Sequence, residues 1–313
     1  MSNYRNNLPQ MTNEIFLTDG GLETYLVFHE GIDLPHFAAL DILSDQAKIE
    51  IVKSYYRQYL DIAAEAGTGF ILDAVTWRGN RDWGLQLGLN PASLKQANKH
   101  AVALIAGMRA EYAGKIQHIV LNGVIGPRGD GYEPGNIMTA TEAADYHTEQ
   151  IATFAETEAD MVSAITMTNS EEAIGIVRAA QAFDLPVIIS FTTETDGRLP
   201  TGQDLGEAIE QVDAATGAAP AYYMVNCAHP SHFSSALASN AAWLGRLKGV
   251  RTNASKLSHA ELDEAEQLDE GNPGELGAEN ADLRALCPSL NVFGGCCGTD
   301  LRHVTHICKA LAA

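Results

Sequence analysis

The sequence predicts an α/β protein of the (β/α)8 TIM-barrel class, one domain over residues 1–313, on three observations. Eight short strand-like segments alternate with helical stretches at spacings of a few tens of residues. The length of 313 residues is ordinary for one such barrel. A doubly wound open sheet uses the same alternation, but no Gly-x-Gly-x-x-Gly turn follows the first run, which argues against its dinucleotide-binding form.

The elements follow in order. After a polar arm, residues 14–17 read as the first strand, which ends in Thr18-Asp19-Gly20-Gly21. A helix is expected over 44–66, with Ser44 as its cap and Gly67 as its stop. Strand two is 70–72, ending in Asp73-Ala74-Val75-Thr76-Trp77. The helix over 91–113 opens with Pro91 and stops at Gly114. Strand three, 118–121, leads into a glycine-dense loop from Gly123 to Gly135. Helix 141–159, strand four at 161–165, helix 170–183 and strand five at 186–191 come next. Helix 204–215 precedes strand six at 222–225, which ends in Asn226-Cys227. A helix from about Pro230, strand seven at 250–253 and a helix near 278–285 lead to strand eight, 291–293, and a closing helix over 301–311.

Composition excludes several classes of function. Lys and Arg number 20 against 40 Asp and Glu, a net charge of −20. That field repels phosphate backbones, so nucleic acid is not an expected partner. The first thirteen residues are polar and do not read as a signal peptide. No apolar run approaches the ~20 residues a membrane span needs. Five cysteines without secretion signals point to reduced thiols and a cytoplasmic setting. The acidic stretch from Glu261 to Glu279 reads as a solvated loop.

The chemistry concentrates in Phe293-Gly294-Gly295-Cys296-Cys297-Gly298-Thr299. Adjacent cysteines bridge each other only with strain, which disfavours a redox dithiol. As thiolates, however, both reach one soft metal ion if the chain turns sharply, and flanking glycines permit that. The bland alternative is two small buried hydrophobes. In a barrel all strand ends converge on one face, where chemistry is found. Cys227 follows strand six, and Cys296 and Cys297 follow strand eight. The three therefore meet at one mouth, a three-cysteine zinc site with an open fourth position of the catalytic kind. Cys287 and Cys308 read as packing residues. His229, two residues beyond Cys227, competes as a ligand and ranks second; as a fourth ligand it would mark a structural zinc in a non-catalytic barrel subunit.

These residues resemble the homocysteine S-methyltransferase family. The resemblance runs through Leu17-Thr18-Asp19-Gly20-Gly21-Leu22-Glu23-Thr24, Gly123-Val124-Ile125-Gly126-Pro127, Ser190-Phe191, Val225-Asn226-Cys227 and Gly294-Gly295-Cys296-Cys297-Gly298-Thr299, and so spans nearly the whole chain. It implies that Cys227, Cys296 and Cys297 hold Zn2+ and that the bound thiol of homocysteine is methylated to methionine. The donor would be a sulfonium or ammonium cation such as S-methylmethionine, S-adenosylmethionine or a betaine. Asp19, Gly20 and Gly21 would form the homocysteine pocket with Asn226 beside it, and Thr76-Trp77 would lie on the donor side. Trp77, Trp83, Tyr132 and Phe191 are candidates to face the donor cation. The chain departs from the family after strand four. Where a Glu-Thr pair is expected to meet the homocysteine ammonium, the sequence has Ile165-Thr166. Either Glu194, or after it Asp73, supplies the missing charge, or the acceptor is a different small thiol without an amino group. The partners implied are a small thiol and a methyl donor, with a homo-oligomer left open.

Overall fold

In the computed structural model, which describes residues 2–239 and 241–312, the eight expected strand segments form eight parallel strands. They are β1 (Phe16–Leu17), β2 (Gly69–Asp73), β3 (Ile119–Ile125), β4 (Met161–Met167), β5 (Val187–Phe191), β6 (Tyr222–Ala228), β7 (Leu247–Thr252) and β8 (Val292–Gly295). They close in sequence order, and β1 pairs with β8 through Phe16 opposite Val292 and Leu17 opposite Phe293. The fold is the expected (β/α)8 barrel.

Continuous apolar runs arise because parallel strands are buried on both faces. Successive side chains alternate between the barrel interior and the helix layer. Phe16, Ile71, Val120, Met161, Ile188, Tyr222 and Val292 form one inner cluster, while their neighbours Leu17, Phe70, Leu72, Leu121 and Val162 pack under the helices. The polar arm belongs to this core. Leu8 joins the inner cluster, the Asn3 and Tyr4 amides donate to Asp160 Oδ1 at 2.6 and 2.9 Å, and Arg5 donates to carbonyls of Phe154, Ala155, Thr157 and Ala159. The arm thus closes the end of the barrel opposite the cysteines.

Helix boundaries follow their caps. The helix Gln46–Ala66 starts later than expected, because Asp45 rather than Ser44 accepts the Ala47 amide, at 2.8 Å; it stops at the left-handed Gly67. Asn90 caps Pro91–Glu111, and Thr139 with Glu142 forms a capping box on Ala140–Ala155. Several short helical pieces lie outside the expected elements, among them the turn Leu22–Thr24, continuing to His29, and the helices Arg81–Gln86 and His259–Asp263. Among the described residues no helix is long and apolar enough to cross a membrane.

Candidate metal centre and substrate cavity

The candidate metal centre is built by two strand ends. At the end of β6, Cys227 adopts a left-handed backbone with φ of 57°, and at the end of β4 Thr166 does the same with φ of 61°. Both are unfavourable for residues with a Cβ, a cost of about 1–2 kcal/mol each. Asn226 holds the two turns together. Its Oδ1 accepts the Thr166 amide at 2.8 Å and the Ser190 hydroxyl at 2.7 Å, and its Nδ2 donates to Thr166 Oγ1 at 2.8 Å. At the end of β8, a Cβ on Gly294 would stand 1.9 Å from Thr18 Oγ1, and one on Gly295 1.9 Å from Thr299 Oγ1. Only glycine lets the chain pass there, and it delivers Cys296, whose amide donates to Thr252 O at 2.8 Å.

The result is a cluster of three sulfurs. Cys296 Sγ lies 3.1 Å from Cys227 Sγ, and Cys297 Sγ lies 3.4 Å from Cys227 Sγ. All five cysteines are free, and these three form a group able to share one ion. Tetrahedral zinc–thiolate geometry, with bonds near 2.3 Å, needs sulfurs about 3.8 Å apart, so the donor set fits with a small outward adjustment. Hydrogen bonding with Cys227 and Cys297, together with the charge of Arg251, holds the Cys296 thiol well below its ordinary range. The same sharing and burial push Cys227 up. The Tyr132 hydroxyl sits 3.2 Å from Cys227 Sγ and 3.6 Å from Cys297 Sγ. Burial, reinforced by the three sulfurs, keeps it a neutral phenol.

Beneath the sulfurs lies a charged floor. Arg251, buried on β7, donates to Asp19 Oδ1 at 2.5 Å, to Asp73 Oδ2, and to Gly295 O at 3.2 Å. Burial disfavours its charge, but Asp19 and Asp73 outweigh that and hold it firmly as a cation. Burial pushes the Asp19 carboxyl up to about 7 against the pull of Arg251. Asp73 also accepts from Asn122 at 2.7 Å.

Above this floor opens a cavity of about 440 Å³. Its wall includes Asp19, Gly20, Gly21, Thr76, Trp77, Cys227, Cys296 and Cys297 from the expected set. Asn226 stays behind the wall as the clamp just described. Trp77 and Tyr132 face the cavity, joined by Phe28, Phe37 and Tyr56, which the sequence did not single out. Trp83 does not line it; its ring carries the Arg78 guanidinium at 4.0 Å. Phe191 is fully buried and stacks on Tyr223.

Three expectations are corrected. Glu194 does not reach the cavity: the chain after β5 folds back through Glu194 N to Arg198 O, and the carboxylate meets His259 Nδ1 at 3.1 Å. His259 in turn stacks on Tyr132 and contacts Cys227 O at 2.8 Å, so Glu194 supports the wall from behind. His229 is not a ligand; it caps Pro230–Leu237 through Ser231 and meets Glu279 at 3.1 Å. Finally, the acidic stretch is not merely a solvated loop. Leu262, Ala265, Gln267, Leu268 and Asp269 roof the cavity, with Asp269 anchored on Ser255 Oγ at 2.5 Å.

Besides Arg251, the cavity wall holds further charged residues outside the expected set, Arg78 and Glu23 among them. Arg78 lies under Trp83 and Trp77, and it donates to His36 O and reaches Asp130 at 3.5 Å. Glu23 projects from the turn Leu22–Thr24, and its signal was present in the quoted Asp-Gly-Gly-Leu-Glu-Thr motif. Burial pushes its carboxyl up to about 7.

The structure resembles two crystal structures of the homocysteine methyltransferase MmuM from Escherichia coli. For the metallated form the TM-score is 0.72 at 18% identity, over 95% of this chain and 96% of that one. For the oxidized form it is 0.74 at 18% identity, over 97% and 99%. Identity this low speaks to the fold. No curated protein matches in sequence. The family model described as homocysteine S-methyltransferase matches residues 16–311, from β1 through the closing helix and across both cysteine-bearing strand ends. A match of that extent means that the chain belongs to the homocysteine S-methyltransferase family and is a methyltransferase.

Proposed function

We propose that the protein is a zinc-dependent, cytoplasmic S-methyltransferase that moves a methyl group from a sulfonium or ammonium donor to homocysteine, giving methionine. The observation that carries this reading is the convergence of the Cys296 and Cys297 sulfurs on that of Cys227, at 3.1 and 3.4 Å, in the wall of a roofed cavity. Sulfur ligands of this number suit zinc and leave one position for a substrate. When bound there, zinc would supply the Lewis acidity that lowers the acceptor thiol's pKa and makes thiolate available at neutral pH. The similar Escherichia coli structures, a homocysteine methyltransferase in metallated form among them, support the same reading.

The chain's residues then do the following. Arg251 sets positive charge beside Cys296 and, with Asp19 and Asp73, fixes the floor on which an acceptor rests. Asp19, Gly20 and Gly21 shape the acceptor side, and Thr76 and Trp77 the donor side. Trp77, Phe28 and Phe37 place aromatic rings in the lining, where a donor cation would be attracted more strongly as water leaves. The acceptor sulfur attacks the donor's methyl carbon in line; a new S–C bond forms, and the electron pair of the broken bond stays on the donor heteroatom. Charge is consumed in that step, so the roof over 262–269 favours it by excluding water. The three thiols require a reducing compartment to remain ligands.

Two measurements test this. Metal analysis should find one zinc per chain, lost or much weakened in Cys227→Ala, Cys296→Ala and Cys297→Ala. Cys287→Ala and Cys308→Ala should keep it, since both side chains pack away from the cavity. Full zinc in all three cavity variants would end the metal assignment. Assays of homocysteine against S-methylmethionine, S-adenosylmethionine and betaine should give methionine with at least one donor; no turnover with any of them would remove the acceptor assignment.

A further inference from the structure

We propose that Glu23 is the residue that binds the α-ammonium group of the acceptor, and so makes the site specific for an amino-acid thiol. The inference rests on the reading of homocysteine as acceptor and adds the residue that recognises it.

It comes from the charges around the cavity. An ammonium group entering a partly desolvated site needs a carboxylate not already committed elsewhere. Asp19 and Asp73 are committed to Arg251. Asp130 accepts the Tyr132 amide at 2.8 Å and faces Arg78. Asp269 is held by the Ser255 hydroxyl and the Gly271 amide. Asp263 is exposed at the roof. At Ile165 the wall is apolar.

Glu23 differs from all of these. It lines the cavity and is half-buried, and its own backbone N–H is the hydrogen-bond partner of its carboxylate; Arg251 and Arg78 are near enough to favour its charge, but among the described residues their direct ion pairs are with Asp19, Asp73 and Asp130 and not with Glu23. Its placement relative to the sulfurs is fixed by the backbone. A Cβ on Gly21 would stand 2.5 Å from Cys296 O, so the turn packs directly on the cysteine loop. The Gly298 amide donates to Thr24 Oγ1 at 3.2 Å and closes the same contact from the other side. Glu23, between those two anchors, is near enough to Cys296 to feel the charge of its sulfur. In homocysteine the amino nitrogen lies only a few bonds from the sulfur. A thiol held at the three cysteines therefore brings its ammonium within range of this turn, whereas the reactive cation of a donor must sit beyond the thiol.

Binding of two thiols to the zinc-loaded protein tests this: homocysteine and 4-sulfanylbutanoate, its des-amino analogue, both followed by calorimetry. The wild type should favour homocysteine. Glu23→Gln should weaken homocysteine about tenfold or more, as loss of a desolvated ion pair does, and leave the analogue unchanged within about twofold. Glu23→Ala serves the same comparison should the glutamine variant fail to fold. Homocysteine binding unchanged in a folded Glu23 variant overturns the inference, as does an equal loss of affinity for the two thiols. Equal wild-type affinity for the two thiols also overturns it, while leaving thiol methylation standing. Failure of the wild type to bind homocysteine at all instead removes the acceptor assignment beneath it.

Discussion

At the scale of single residues, the site is held by contacts that would be unfavourable anywhere else in the chain. Arg251 is the clearest case, a buried guanidinium between two buried carboxylates with its Nε on the Gly295 carbonyl. Removing one member of such a set leaves its partners charged and unpaired, which costs about 3–5 kcal/mol. Arg251→Met should lower stability by roughly that amount in urea denaturation, and should weaken zinc binding because Cys296 loses a neighbouring positive charge. Replacing Asp19 and Asp73 by asparagine in the same chain should recover part of the stability. A loss below about 1 kcal/mol would mean that water, not Arg251, neutralises the two carboxylates. None of this trio could be assembled from the sequence by spacing, because its members lie on or just after β1, β2 and β7 and meet only when the barrel closes. Asp19 stood out through its motif, and Arg251 carried no signal at all.

At the scale of elements, what was legible followed from burial on two faces. Most strands announced themselves as short apolar runs, although β7 carries Lys248 and Arg251, and each strand end placed its polar residues at one mouth, so Cys227 and the Cys296-Cys297 pair could be brought together from strand count alone. What was not legible lay in the connections. Glu194 follows β5 closely, yet a tight turn through Arg198 swings it behind His259; Glu23 sits on a turn too short to leave a periodic pattern. The acidic stretch has the composition of a solvated loop, yet its apolar residues Leu262, Ala265 and Leu268 are among those that line the cavity. Where caps were encoded, helix ends were predictable, and the closing helix Leu301–Ala312 gives a test. Asp300 accepts the Arg302 amide at 2.9 Å and meets His303 and the Arg302 side chain. Burial raises its pKa, but these hydrogen bonds outweigh burial and hold the carboxyl well below the usual aspartate range. A depressed pKa means stability present above the unfolded value near 4 and lost as pH falls below it. Asp300→Ala should therefore cost about 1 kcal/mol at pH 7. The thermal midpoints of the two metal-free proteins should converge as pH drops below about 4. Midpoints separated by the same amount at every pH would assign the effect to packing alone.

At the scale of the whole molecule, the barrel is divided between an end that does chemistry and an end that closes. The two ends are built under different demands: the cysteine end carries left-handed residues, a cavity and unpaired charge, while the opposite end is filled and extensively bonded. The first residues of the chain complete that second end. Asp160 is 0% exposed and receives the Asn3, Tyr4 and Leu121 amides as well as Arg109 at 2.9 Å. Arg5 spans four carbonyls at the end of Ala140–Ala155 and the turn beyond it, and Leu8 caps the inner cluster that holds Phe16 and Tyr222. Deleting residues 2–9 would expose Leu8's pocket, a loss of about 1.5–3 kcal/mol, and would remove hydrogen bonds worth about 0.5–1.5 kcal/mol each. The shortened chain should thus unfold several degrees lower, the barrel floor being open to water. Its zinc content and its affinity for homocysteine should be unchanged, because the three sulfurs, Arg251 and Glu23 all lie at the other end. Calorimetric unfolding, metal analysis and titration with homocysteine of the same sample read the three quantities. An unchanged midpoint would show that the arm is dispensable packing, and loss of zinc without loss of fold would show that the two ends are coupled through the strands rather than independent.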